Sequence, residues 1–295
     1  MLVLAAQNNV SDARMEYLIR DRLSWLRFLG FDLGATTPDA NTIRLFREKL
    51  TEVGALDTLF ADFDRQLKER GYLAMGGQIV DATLVAAPKQ RNIQAEKDAI
   101  KEGKTAAAIW PDEPARAAQK DTDARWTLKC AKAKPTADGK PGVDIAIPSF
   151  GYKSSISICR AFGFIRKCKV TDAARFDRRM LRDVVTNDNT ASDVWADRAY
   201  SSQANEKWLK RQSRVSRIHR KKSRGRLMPE RTAKANGVKS KVRARVEHVF
   251  AQWKDKMGLF IRTIGIERAE AKITLANLAY NLNRLIFHER RAAMG

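Results

Sequence analysis

The run Gln78-Ile79-Val80-Asp81-Ala82-Thr83-Leu84-Val85 decides how this chain is read. Its β-branched and apolar residues predict a short strand, and a single carboxylate, Asp81, sits inside it. A second run of the same texture, Asp193-Val194-Trp195-Ala196-Asp197, also ends on a carboxylate. Between them lie two further β-rich runs, Tyr152–Cys159 and Phe164–Val170, parted by Gly163 in the pattern of an antiparallel hairpin. Residues 172–186 and Ser202–Arg211 read as helices, and two long helices follow over 239–258 and 267–291. Residues 86–149 form a polar insert with little periodicity, and Ala131–Gly142 (AKAKPTADGKPG) reads as a flexible loop.

Upstream of the first strand the period changes to 3.6. Met15, Leu18, Ile19, Leu23 and Leu26 predict a helix over 11–30, with Ser11 as N-cap and Gly30 as stop. A second helix follows Thr37-Pro38-Asp39 through Leu50, and a third runs from Leu56 to Arg70. Residues 1–72 are therefore a helical N-terminal region, suited either to DNA binding or to packing. Residues 73–295 are a mixed α/β domain.

The 295 residues include 56 Lys and Arg against 34 Asp and Glu, a formal net charge of +22. Self-repulsion on that scale points to a polyanionic partner, nucleic acid ahead of a membrane surface. Three cysteines without CxxC spacing and three scattered histidines give neither a disulfide framework nor a zinc site. No run of 18 apolar residues occurs, and the opening MLVLAA is too short for a signal peptide, so a cytoplasmic, nucleoid-associated protein is expected.

Phosphodiester cleavage is commonly run by two divalent cations about 3.5–4 Å apart, held by a few carboxylates. Mg2+ or Mn2+ prefers oxygen ligands and keeps several waters, so two or three carboxylates suffice. Asp81 and Asp197 would lie side by side if their strands are neighbours, and a helical carboxylate would complete the set. Glu247 is the candidate: Arg243 lies four residues before it and Lys254 seven after, all within about 40° on one helix face. Each acid alone admits a plainer reading, a strand-end cap for Asp81 or a surface i,i+4 pair for Glu247. The order is more telling. Strand acid, hairpin, helix, strand acid, basic segment and helix acid is the layout of a ribonuclease-H-like fold.

Several segments carry a resemblance. They are QIVDATLVAAPKQRN at 78–92, KDTDARWT at 120–127, FGYK at 150–153, DVWADRAYSS at 193–202, and Arg243-x3-Glu247-x6-Lys254 with RTIGIERAEAKITLANLAYNLNRL after it. With DRLSWLRFLGFDLG and PDANTIRLFREKL upstream, the chain resembles the DDE transposases of bacterial insertion sequences, in the subgroup named after insertion sequence five. The resemblance implies metal-dependent cleavage of transposon-end DNA and strand transfer into target DNA. Asp81, Asp197 and Glu247 would be the catalytic metal ligands, and double-stranded DNA (transposon ends and target) the partner. A homodimer or higher assembly is implied for the active complex. The tyrosine of the family's Y-R-E-K signature falls here on Ser240, and Ser155 and Phe176 stand where relatives usually carry histidine.

Residues 207–226 carry ten Lys or Arg and no acid. Lys207, Lys210, Arg211, Arg214, Arg217, Arg220, Lys221, Lys222, Arg224 and Arg226 are expected to contact DNA phosphates, as are Arg243 and Lys254 beside the acids. Trp195 is expected in the core; Trp253 is a core residue or a wedge against an unstacked base. Two other readings stay open: a metal-dependent nuclease that never joins strands, and a decayed transposase that binds DNA without cutting it.

Overall fold

The computed structural model describes residues 1–131, 145–222, 225 and 227–294; the Ala131–Gly142 loop beyond its first residue, and Arg224 and Arg226, lie outside them. The N-terminal region holds α1 (Leu2–Asn8), α2 (Asp12–Asp21), α3 (Leu23–Phe28), α4 (Ala40–Glu52) and α5 (Ala55–Glu69). Ser11 caps α2 by accepting the Arg14 N–H, and Asp39 caps α4 by accepting that of Thr42. The helix expected over 11–30 is broken at Arg22, which is extended (φ −109°, ψ 106°) and lays its guanidinium over the Trp25 ring. The opening run is itself helical, because Leu2 and Ala6 find an apolar surface on Leu56, Ala271 and Leu275.

The rest of the chain follows as β1 (Gln78–Ala86), α6 (Gln94–Lys101), α7 (Ala106–Ile109), α8 (Pro114–Gln119), β2 (Arg125–Ala131), β3 (Ile145–Cys159), β4 (Ile165–Asp172), α9 (Asp177–Val184), β5 (Asp193–Trp195), α10 (Gln203–Arg211), β6 (Val215–Ser216), α11 (Glu230–Arg243), α12 (Glu247–Ala251) and α13 (Ile266–Ala293). β3 pairs antiparallel with β1, β4 and β2, while β1 pairs parallel with β5, and β5 parallel with β6. The order β4-β3-β1-β5-β6 puts an antiparallel half beside a parallel half, with β1 at the junction. This is the expected ribonuclease-H-like arrangement, in a mixed α/β fold.

Residues 86–131 are more structured than their polarity suggests. They supply α6, α7, α8 and β2, fastened by one buried acid. Glu96 accepts from Trp110 Nε1 at 2.8 Å, from Arg116 at 2.6 Å and from the Ile93 N–H at 2.9 Å. The DTDA stretch anchors the long helix. Asp121 accepts the Tyr152 hydroxyl at 2.7 Å, and Asp123 accepts the Ile266 N–H at the start of α13 at 2.9 Å.

α13 lies on the sheet through Ala276, Ala279 and Tyr280, against Ile156, Ile158 and Ile165. Asn281 clamps β4 by bonding both the N–H and the carbonyl of Ile165 at 2.9 Å. Where β3 passes the end of β1, Gly151 has φ 144°, and a Cβ there would stand 2.8 Å from Ala87 N and closer still to Val85 O. Gly151→Ala should therefore push two paired strands apart and cost about 2 kcal/mol or more. A lowered thermal midpoint is the expected readout; an unchanged midpoint would contradict the assigned strand approach.

Candidate active site

The site is built on the junction strand. Asp81 lies on β1, opposite Ile156 of β3, and is 9% exposed. On its other side β1 meets β5 with Gln78 opposite Val194 and Ile79 opposite Trp195. Two residues further on, that register sets Asp81 level with Asp197. Asp197 lies two residues past the end of β5 and caps the short 3-10 turn Arg198–Tyr200, its Oδ1 accepting the Ala199 N–H at 2.6 Å. The strand expected over 193–197 is shorter, ending at Trp195, because Asp197 turns the chain by capping Arg198–Tyr200; the parallel register still sets the two aspartates level.

Glu247 reaches the site from a helical path that crosses the same face. The stretch read as one helix over 239–258 is segmented: α11 gives way to a 3-10 turn at Ala244–Val246, then α12, then a π turn at Gln252–Lys256. Val246, Val249, Phe250 and Trp253 are buried against Ile79 and Trp195, which lays the path over β1 and β5. Trp253 is thus a core residue, and at 1% exposed it offers no wedge to a base.

Arg243 ties the acids together. Its Nη1 donates to Asp81 Oδ2 and stands 3.5 Å from Glu247 Oε1, so one guanidinium nitrogen faces both carboxylates. Burial pushes the Asp81 carboxyl up to about 6, and the negative charges of Asp197 and Glu247 add to the rise. Arg243 and the Ala82 N–H, which donates to Asp81 Oδ1 at 2.9 Å, oppose it. Asp197, level with Asp81 in the sheet, and Glu247, joined to it through Arg243, thus both lie near enough to act on the Asp81 charge. Among the described residues no three His, Cys, Asp or Glu side chains are gathered as a ready metal cage. The donor set nonetheless fits a hard divalent cation: three carboxylates, one of them buried at the cost of a raised pKa, with a cationic side chain between two of them. Lys254 stands on the π turn, its ammonium pulled down by burial and by Lys129 and held up by Glu247.

The basic segment runs from the end of α10 through β6 and on past the site. Lys207, Lys210, Arg211, Arg220, Lys221 and Lys222 are exposed. Two members expected to contact DNA bond to the protein itself, Arg214 half-buried and Arg217 at the exposed surface. Arg214 donates to the carbonyls of Ala191 (3.3 Å) and Thr186 (3.2 Å), and Arg217 pairs with Asp193 at 2.6 Å. Both hold the edge strand in place. His219, absent from the sequence-level candidates, lies beside the acids: its Nε2 is 3.4 Å from Ser240 Oγ, and its ring feels Arg243 and Asp197. Its only advance signal was a position two residues after Arg217 in an otherwise cationic run.

Comparison with known proteins identifies the family. Residues 73–282 match the family model described as a transposase DDE domain, and residues 1–49 match one described as a transposase domain (DUF772). A relative from Neisseria meningitidis serogroup B, "Transposase for insertion sequence element IS1106", is 28% identical over 210 residues, 70% of this chain and 64% of that protein. The match thus spans less than two thirds of the relative's length. No solved structure matches the chain.

Proposed function

The chain belongs to the DDE transposase family, and from that membership we propose that it cuts transposon-end DNA and joins the freed end to target DNA. The observation that carries the reading is the register that sets Asp197 level with Asp81 at the junction of the parallel and antiparallel halves of the sheet, with Arg243 linking Asp81 to Glu247. The FGYK and DVWADRAYSS segments favour the subgroup named after insertion sequence five.

Asp81, Asp197 and Glu247 would hold Mg2+ or Mn2+, which when bound activates an attacking oxygen and stabilises a leaving one. Asp81 and Asp197 bring rigidity, because one is mid-strand and the other is pinned by the Ala199 N–H. Arg243, which bonds Asp81 and approaches Glu247, would turn to a phosphate oxygen when a strand enters. In the first reaction water attacks a terminal phosphodiester, the P–O3′ bond breaks, and a 3′-hydroxyl and a 5′-phosphate result. In the second, that 3′-hydroxyl attacks a target phosphodiester and displaces a target 3′-oxygen, so bonds are exchanged without external energy. The exposed cations of 207–222 give a track for the flanking backbone, and pairing of two ends calls for a dimer or larger assembly. No helix among the described residues is long and apolar enough to cross a membrane.

A duplex of the terminal repeat flanking the coding frame, mixed with plasmid and Mg2+ or Mn2+, tests the reading. The expected products are nicked ends and ends covalently joined to plasmid. Hydrolysis without joining would favour the nuclease alternative, and binding without cleavage would favour the non-catalytic one.

A further inference from the structure

The parallel half of the sheet carries a third polar position in line with the two aspartates. β5 meets β6 with Asp193 opposite Val215 and Val194 opposite Ser216. The ladder continues beyond β6, because the Arg217 N–H donates to the Val194 carbonyl at 2.8 Å and the His219 N–H to that of Ala196 at 3.1 Å. That register sets His219 level with Asp197, as the β1–β5 register sets Asp197 level with Asp81. β1 and the chain just beyond β5 and β6 thus present Asp81, Asp197 and His219 in one row. Side-chain alternation agrees: Ile218 is buried with Val80, Val194 and Ala196 on the opposite face.

A second row faces the first. Ser240, Arg243 and Glu247 follow one another at three- and four-residue spacing along the helical path over the sheet. Each contacts its neighbour or the row below: Ser240 meets His219, and Arg243 meets both Asp81 and Glu247. The contact with Ser240 engages one ring nitrogen, and among the described residues the imidazole makes no other hydrogen bond. The ring is only partly buried, and the exposed cations Arg220, Lys221 and Lys222 follow it directly. It therefore stands at the junction between the carboxylates and the basic track.

We propose that His219 is a further DNA-contacting residue of this site, held by Ser240 and donating a ring N–H to a backbone phosphate next to the cleaved bond. This rests on the DDE transposase reading, since it takes the acids to mark the cleaved bond. A strand passing from the carboxylates to the cations must cross the row at His219. A neutral or charged imidazole can donate there without adding another carboxylate ligand. The ring thus fixes strand position where the fixed cations supply only attraction.

The test is a double-substitution cycle on binding in EDTA, where cleavage does not interfere. The probe is the terminal-repeat duplex with a methylphosphonate at each phosphate, in turn, around the cleaved bond. His219→Ala should weaken binding about 10-fold, the loss of one phosphate hydrogen bond. One methylphosphonate close to the cleaved bond should weaken wild type equally yet weaken His219→Ala no further. His219→Gln, which keeps a side-chain N–H, should recover most of the affinity, and all proteins should melt alike. Full additivity at every position, or unchanged affinity in His219→Ala, overturns the proposal. Failure of the wild-type protein to cut the unmodified duplex in Mg2+ or Mn2+ would instead overturn the transposase reading, and the binding cycle would still report on His219.

Discussion

Asp81→Asn is expected to abolish end cleavage while making the metal-free protein more stable. The loss should exceed about 10³-fold, because the neutral amide neither balances a divalent cation nor fixes it against the sheet. End binding should stay within about three-fold, since the phosphate-binding cations are untouched. The gain in stability follows from burial. The folded-state pKa of Asp81 lies near 6 against an ordinary 3.8. The folded protein therefore binds the proton more tightly than the unfolded chain, and stability falls as pH rises from about 4 to 6. Above pH 6 the penalty is constant at up to about 3 kcal/mol, partly offset in the variant by Arg243 losing one of its two acid partners. Melting curves should show Asp81→Asn above wild type at pH 7.5, the gap closing as pH falls through 6 towards 4. A variant that melts lower at pH 7.5 would mean that the Arg243–Asp81 pair outweighs the desolvation of the acid. Asp197→Asn and Glu247→Gln should lose cleavage equally.

The second large effect is on DNA affinity as salt rises. Lys207, Lys210, Arg211, Arg220, Lys221 and Lys222 are exposed, and among the described residues none is in a salt bridge. If these six neutralise phosphates, affinity should fall about 10³-fold between about 50 and 200 mM monovalent salt. Lys210→Ala combined with Arg211→Ala should make the logarithmic slope shallower by about two. Arg214→Ala should leave the slope almost unchanged and lower the melting temperature, because its guanidinium serves the Thr186 and Ala191 carbonyls. An unaltered slope in the double variant would exclude the basic track as the DNA path.

The two aspartates were legible through their order along the chain and the family-like segments around them, since each alone also admits a structural role as a cap. Their register was not, since the pairing of β1 with β5 joins segments more than a hundred residues apart and no local pattern encodes it. Glu247 was legible through its spacing to Arg243, and that i,i+4 contact is present at 3.5 Å. The segmentation of its helix was not: nothing in ARVEHVFAQWKDK announces a 3-10 or π turn, and both arise where Val246 and Trp253 must reach one core. α6, α7 and α8 escaped notice because each spans eight residues or fewer, too short to set a period, and their stability comes from Glu96. His219 was hidden for a similar reason. It lies three residues past a strand only two residues long, and its position depends on the Arg217 and His219 N–H bonds to the Val194 and Ala196 carbonyls.

The central claim is that Asp81, Asp197 and Glu247 surround one divalent-cation site, and iron-directed backbone cleavage tests it most directly. With Fe2+ replacing Mg2+, ascorbate and peroxide generate hydroxyl radicals that cut the chain only close to the bound ion. Three clusters of cuts are expected, around residues 81, 197 and 247, competed by Mg2+ and lost together in Asp81→Asn. Cuts confined to other segments, or a pattern that Asp81→Asn leaves intact, would contradict the claim.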